Sequence, residues 1–367
     1  MNDSGQPLRV LVTGGGGFLG RAILRELARP GSGIAHVRVL DRDVSAVAAG
    51  PGLEVLEADV CDAERVRRAC QDMDAVVHAA ALVDWGQATR EHLERVNIGG
   101  TENVIRACRA AGVKALVYTS TMDVVCGAAP VVNADESLAY PDRFTNEYAR
   151  TKSLAERVVL AANGPDLATC ALRPCGMYGE GDPYHVANVL RIVQAGKLPF
   201  RPGSGRARFQ HVYVGNVAHA HVLAMQRLLG PDASVAGEAF FLTDDTPPSN
   251  FLVFMEPILE ALGERLPPRS RRVPYAVMLA LGAAAEAAAF VSRPFFRFQP
   301  TLTRSSVRFV CHDHTFDGSK ARHRLAYTPR YSEAEAIERT IAYFRERESR
   351  LMAMPGSLGG SPVSSTG

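Results

Sequence analysis

Residues 8–25 read L-R-V-L-V-T-G-G-G-G-F-L-G-R-A-I-L-R, and this stretch limits the folds open to the chain more than any other. Residues 8–12 form a short, branched, apolar run, as expected of a strand buried on both faces. Thr13 and the four glycines after it predict a tight turn. Phe18, Leu19, Ala22, Ile23 and Leu27 then recur at helical spacing. The reading is strand, glycine turn, helix. Gly14, Gly17 and Gly20 stand three residues apart, and each has a separable purpose. One allows the positive φ of the turn, one lets a pyrophosphate reach the backbone, and one lets the helix pack close to the strand. The first helical turn, with Phe18 and Leu19, then offers free N–H groups and a positive dipole end to phosphate.

Further along, residues 37–40 predict a second strand ending in Asp41-Arg42. A carboxylate there accepts hydrogen bonds from both adenosine-ribose hydroxyls and repels a 2′-phosphate, which favours NAD over NADP. The adjacent Arg42 is the residue that would serve a phosphate instead. Residues 53–58 predict a third strand, with Asp59 and Val60 flanking an adenine or with Asp59 capping the helix that begins near Ala63. Residues 75–78 predict a fourth. Ala79 and Ala80 after it are small enough to let a cofactor cross the strand ends, and His78 reads either as a cofactor neighbour or as a core histidine. A helix from Val96 to about Ala111 and strands at 116–119 and 169–172 complete an alternating pattern. That pattern predicts a Rossmann-type, doubly wound parallel sheet, with cofactor outside the carboxyl ends of its strands. His211, Val212 and Tyr213 are expected to bring the chain back to this sheet.

The fifth predicted strand ends Thr119-Ser120-Thr121, and Tyr148 and Lys152 follow in E-Y-A-R-T-K-S-L-A-E-R. Residues four apart share a helix face. Oxidising an alcohol requires a proton acceptor while a hydride leaves, and a free tyrosine titrates near 10, too high for that task. A neighbouring ammonium lowers the phenol's pKa. The same ammonium can hold the nicotinamide ribose, and Thr121 or Ser120 would fix the substrate oxygen.

These motifs resemble the extended short-chain dehydrogenases/reductases. The matching residues are T-G-G-G-G-F-L-G, Asp41, A-D-V, V-N-I-G-G-T-E-N-V, Y-T-S-T, Y-A-R-T-K and L-R-P-C-G-M-Y-G-E-G-D-P. The segments H-V-Y-V-G-N-V-A-H-A-H-V-L-A, G-E-A-F-F-L-T-D-D-T-P-P and S-K-A-R-H-R-L-A-Y-T-P-R-Y are most similar to the 3β-hydroxysteroid and sterol-4α-carboxylate 3-dehydrogenase branch. The likeness runs from about residue 8 to about 344. It implies Tyr148 as proton acceptor, Lys152 as its partner and ribose ligand, and Thr121 as third member, where the branch more often has serine. It also implies cofactor contacts at Asn97, Thr119 and Pro174, the proline lying beside the nicotinamide. The implied activity is NAD-dependent oxidation of a 3β-hydroxyl on a sterol or steroid-like lipid. Isomerising a ring double bond, as some relatives do, requires a second proton-transfer group, and the sequence singles none out. Other readings are an NAD(P)-dependent reductase or epimerase of another substrate, such as a long-chain 3-oxoacid or a nucleotide sugar, and a non-catalytic dinucleotide-sensing regulator. The 3-oxoacid reading rests on a local likeness around L-A-A-N-G-P-D-L-A-T-C-A-L-R-P.

The expected organisation is a dinucleotide domain over 1–183 with a return near 209–225. A smaller, mostly helical C-terminal substrate cap over 184–350 and a disordered tail at 354–367 follow. Basic and acidic residues nearly cancel, to a formal +2, and no basic block suggests nucleic acid. Seven cysteines include no C-x-x-C pair. They are expected to be reduced thiols of a cytoplasmic protein, with neither disulfide nor metal. Residues 1–7 show no signal-peptide core. Residues 201–208, rich in arginine and glycine, read as a reach toward an anion or as a solvated loop. Residues 273–291 are almost wholly apolar around a single Glu286. A central carboxylate costs about 2.5–3.5 kcal/mol on insertion scales. With the arginine–aromatic run to residue 298, this stretch reads as a membrane-surface helix, a helix buried in the cap or a homodimer contact, or a span.

Overall fold

A computed structural model describes residues 7–48, 50–84, 88–231, 234–292, 300 and 302–353. Its centre is a seven-stranded sheet, parallel throughout, built from Leu8–Thr13, Ile34–Asp41, Leu53–Glu57, Ala75–His78, Ala115–Thr119, Ala168–Pro174 and Ala239–Leu242. Numbered in chain order, the strands lie 7-6-5-4-1-2-3 across the sheet. Register is set by pairs such as Val12 with Val39 on one side and Val12 with Val77 on the other. The order reverses between the first and fourth strands. In an open α/β sheet that reversal opens a crevice at the carboxyl ends, where ligands bind.

The central strands are apolar on both faces because both faces are covered. Val10, Leu11, Val12, Val76, Val77, Leu116 and Val117 are all fully buried, each side chain contributing about 1.5–3 kcal/mol of burial. Helices Phe18–Leu27 and Val214–Leu228 pack together with one face, and Ala63–Ala69, Gly100–Ala111 and Glu147–Ala161 cover the other.

Three readings of the sequence are corrected here. His211–Tyr213 does not rejoin the central sheet; it pairs in parallel with Gly176–Tyr178 as a separate two-stranded sheet. The strand that does return is Ala239–Leu242, beside Ala168–Pro174. Four apolar residues cannot be told from a helical fragment by periodicity alone. The helix expected from Val96 begins at Arg90 and passes through a π-helical turn, Glu94–Gly99, before Gly100–Ala111. Residues 201–208 do not reach the crevice. Arg201 pairs with Glu256 at 2.5 Å and donates to the Pro267 carbonyl at 2.6 Å, within a small sheet pairing Arg201–Pro202 with Arg272–Val273.

The apolar segment forms a helix, Tyr275–Ser292. Only Met278 and Gly282 on it are buried, while Val277, Leu281, Phe290 and Val291 are exposed. It is therefore not a helix enclosed by the cap. Glu286 is bound on its surface by Arg304, whose backbone N–H and Nε both donate at 2.7 Å. The arginine–aromatic run at 293–298 and the tail at 354–367 lie outside the described residues.

Candidate active site

The glycine turn is shaped by backbone contacts that exclude side chains. Gly14 has φ +75°, and a Cβ there would lie 2.5 Å from the Ala80 nitrogen. At Gly20 a Cβ would lie 2.0 Å from the Gly14 carbonyl oxygen, which the Gly17 N–H already binds at 3.1 Å. Gly17 precedes the first helix in extended conformation, and no side chain caps that helix end. Its free N–H groups point into the crevice as an anion cradle. Asp41 closes the opposite side. Its Oδ2 accepts the Gly16 N–H at 2.9 Å, so the carboxylate both shapes the turn and faces the cleft.

The cleft runs from this cradle across the strand ends. Gly14, Gly17, Phe18, Leu19, Gly20, Asp41, Arg42, Asp59, Val60, Ala79, Ala80, Thr119, Thr121, Tyr148, Lys152 and Pro174 all line it. Asp59 does not cap the next helix. Asp62 does, accepting the Arg65 N–H at 3.0 Å, while Asp59 binds the Cys61 N–H at 2.9 Å. The cradle, the free helix end and the carboxylate fit a dinucleotide. The glycines and Phe18-Leu19 would hold its pyrophosphate, Asp41 its adenosine ribose, and Asp59 and Val60 its adenine.

Two expected cofactor contacts are not in the cleft lining. His78 is 1% exposed and bridges two threonines, Thr13 Oγ1 at 2.6 Å and Thr101 Oγ1 at 3.0 Å. Burial holds its pKa down to about 3, so it is a neutral core histidine. Asn97 is also buried. Its Oδ1 accepts the Leu82 N–H at 2.8 Å, and its Nδ2 donates to the Leu82 carbonyl and to Thr151 Oγ1, both at 3.1 Å. The π-helical turn aims it at that task, fastening the cleft wall at Leu82 to the helix that carries Tyr148 and Lys152. Thr119 reaches the cleft, but its hydroxyl is held by His221 Nε2 at 2.8 Å.

Helix Glu147–Ala161 starts at Asn146, whose side chain accepts the Ala149 N–H at 2.8 Å. Tyr148 and Lys152 project from it into the cleft together with Thr121. Thr121 acts on the phenol in the direction of ionisation. The lysine differs from expectation. Its Nζ donates to the Thr119 carbonyl at 2.5 Å and sits 4.1 Å from the centre of the Tyr118 ring. Burial lowers its pKa to about 7, with Glu156 opposing. Tyr148 is affected chiefly by burial and then by Asp123 and Tyr184, which hold its pKa well above the usual tyrosine value; Thr121 opposes them.

The sequence reading did not consider Asp123, which lies next to Thr121 but is not among the cleft-lining residues. Thr121 Oγ1 donates to its Oδ2 at 2.9 Å and accepts its N–H at 3.2 Å. Burial raises its pKa above the ordinary carboxylate range, with Thr121 and His185 opposing. Its place two residues beyond Thr121 is a common turn pattern, and Thr121 caps the turn Met122–Val125 there. Leu82, Val83, Cys175, Met177 and Tyr184 also line the cleft.

Comparison with known proteins decides the family. The sequence profile of the 3-beta hydroxysteroid dehydrogenase/isomerase family matches residues 11–273. The chain belongs to that family. A Mycobacterium tuberculosis 3 beta-hydroxysteroid dehydrogenase/Delta 5→4-isomerase is 37% identical over 346 residues, covering 92% of this chain and 90% of the relative. An Arabidopsis thaliana 3beta-hydroxysteroid-dehydrogenase/decarboxylase is 36% identical over 353 residues, covering 91% and 79%. Human short-chain dehydrogenase/reductase family 42E member 1 is 34% identical over 362 residues, covering 93% and 89%. Among solved structures, an epimerase from Methanothermobacter thermautotrophicus superposes with TM-score 0.73 at 20% identity, covering 95% of each chain. The Streptomyces venezuelae dTDP-glucose 4,6-dehydratase gives 0.70 at 23%, covering 94% and 98%. These two share the fold. This member of the family is an oxidoreductase of the extended short-chain type.

Proposed function

We propose that this enzyme uses NAD to oxidise a 3β-hydroxyl on a sterol or steroid-like lipid. The observation that carries the reading is the meeting, in one cleft, of a glycine cradle closed by Asp41 with the hydroxyls of Tyr148 and Thr121. When bound, the nicotinamide ring supplies the hydride acceptor. The chain's own residues do the rest. Asp41 selects a free ribose hydroxyl over a 2′-phosphate. Lys152, held against the strand end by the Thr119 carbonyl, is placed to bind the nicotinamide ribose. Pro174 closes the cleft beside it. Thr121 and Tyr148 orient the substrate oxygen, and Tyr148 receives its proton. Leu82, Val83, Met177 and Tyr184 offer an apolar wall, which supports a lipid over a nucleotide sugar.

The exposed face of helix Tyr275–Ser292 supports peripheral membrane contact, since a substrate that partitions into lipid must be collected there. A homodimer belongs to the same reading. The deciding experiment is a panel of 3β-hydroxysteroids, 4-carboxysterols, long-chain 3-hydroxyacids and nucleotide sugars with NAD and with NADP, followed by reduced-cofactor absorbance. Turnover of a 3β-hydroxysterol with NAD is expected. Turnover confined to hydroxyacids or sugars contradicts the proposal.

A further inference from the structure

Two pieces of the cleft are joined by a buried ion pair that lies outside it. Tyr148 and Lys152 come from helix Glu147–Ala161, while Pro174 ends strand Ala168–Pro174. Glu156 stands one turn beyond Lys152 on the same helix face, and Arg173 immediately precedes Pro174. Their exposures are 0% and 3%, and neither lines the cleft. Arg173 grips the carboxylate with two nitrogens. Its Nη2 donates to Oε1 at 2.7 Å, and its Nε donates to Oε2 at 3.0 Å. Tyr140, from the loop that precedes the helix, donates its hydroxyl to Oε1 at 2.6 Å. The guanidinium lies 5.2 Å from the centre of the Phe241 ring and 5.5 Å from that of Tyr140.

Stability does not account for this pair. Taking two charges out of water costs about as much as their attraction returns, and apolar residues of similar volume often pack as well or better. Arg173 Nη1 is in addition buried without a hydrogen-bond partner, which is a further cost. What the pair provides is direction. A planar fork on a carboxylate fixes distance and angle, where apolar contact lets two surfaces slide. The far end of the same helix and strand is held separately, by Thr169 Oγ1 donating to the Val159 carbonyl at 2.8 Å, so the ion pair governs the end nearer the cleft. We propose that Arg173, through Glu156, positions Tyr148 and Lys152 against the nicotinamide seat at Pro174. Tyr140 brings the preceding loop into the same grip. Arg173 and Glu156 act through the groups they hold, and both are positioning residues.

This inference rests on the NAD-dependent oxidation proposed above, and its test has an arm that needs no alcohol. Glu156→Met and Arg173→Met are combined in the full chain, since either alone strands a buried charge. The double variant is expected to melt at or above the wild-type temperature. In the arm without alcohol, calorimetric titration compares NADH with ADP-ribose, which lacks the nicotinamide. The affinity for ADP-ribose is expected to stay within about threefold of wild type, while the wild-type advantage of NADH over ADP-ribose falls by about 10-fold or more. In the kinetic arm, kcat for alcohol oxidation is expected to fall between about 10-fold and 100-fold with KM nearly unchanged. The isotope effect from deuterium on the carbinol carbon should rise as hydride transfer slows. Arg173→Lys keeps the charge but not the fork; it should show smaller losses of the same kind, and it decides the matter should the double variant not fold. The proposal is overturned by wild-type kcat or an unchanged NADH advantage in either folded variant, by an equal loss of affinity for both nucleotides, or by a wild-type protein that binds the two equally. Should the wild type oxidise no alcohol, the oxidation reading fails while the calorimetric arm still decides whether Arg173 and Glu156 set the nicotinamide seat.

Discussion

Gly20→Ala tests the packing that makes the cradle. In a helix interior, alanine is intrinsically better than glycine by about 1 kcal/mol, so a helix-only view predicts a stabilised protein. The structure predicts the reverse. The new Cβ would lie 2.0 Å from the Gly14 oxygen and 2.6 Å from the Gly15 Cα. Ordinary contact begins near 3.4 Å, so the turn must move by 3.4 − 2.0 = 1.4 Å. Its neighbours are backbone atoms and cannot rotate aside. Overpacking of this kind costs about 1–3 kcal/mol, which cancels or exceeds the helical gain. The shift also strains the bonds from the Gly14 N–H to the Leu40 carbonyl and from the Gly17 N–H to the Gly14 carbonyl. Losing the aim of one backbone N–H at a phosphate costs about 1.5–3 kcal/mol, or roughly 10- to 150-fold in affinity. Calorimetric titration with NADH and thermal melting without nucleotide read the two effects separately. Gly112→Ala is the control. Gly112 has φ +70° with open space around it, far from the cleft lining, so it should lose about 1–2 kcal/mol of stability and no affinity. Wild-type NADH affinity in Gly20→Ala would refute the reasoning.

Other consequences can be measured on the same protein. Asp41→Ala should weaken NAD and relax discrimination against NADP, because it removes both the ribose acceptor and the anchor of the Gly16 N–H; an unchanged kcat/KM ratio for the two cofactors would exclude the role. Lys152→Met should abolish turnover yet raise the melting temperature at neutral pH, since an ammonium stripped of water is replaced by an apolar chain, worth about 1 kcal/mol or more. The pH dependence follows in sign. Between the folded pKa of about 7 and the unfolded value near 10.4, only the unfolded chain binds the proton. Wild-type stability should thus gain from rising pH across that window relative to the variant, and parallel melting curves would contradict it. Replacing Val277, Leu281, Phe290 and Val291 with serine should reduce co-flotation with phospholipid vesicles while leaving the melt within about 1 kcal/mol, because these side chains are exposed; unchanged flotation would remove the membrane proposal.

Sheet and cradle were legible in the sequence because their signals are local. Glycines three apart between an apolar run and a helical pattern admit few conformations, and a Tyr and Lys four apart on a helix must share a face. What escaped is what depends on distant partners. The seventh strand is defined by pairing with a strand some seventy residues earlier. His78 and Asn97 stand next to cleft residues in sequence, yet Thr13, Thr101, Leu82 and Thr151 turn them inward. Lys152 points to a carbonyl and a ring that its own helix could not announce.

The central claim is a proton passing to the phenol at 148 as an alcohol is oxidised. Reduced-cofactor formation by wild type and Tyr148→Phe, with saturating NAD and one 3β-hydroxysterol, tests it most directly when nucleotide affinity is measured alongside. We expect the phenylalanine enzyme to bind NADH within about threefold of wild type and to lose at least about 10²-fold in kcat. Equal turnover by the two enzymes would contradict the account.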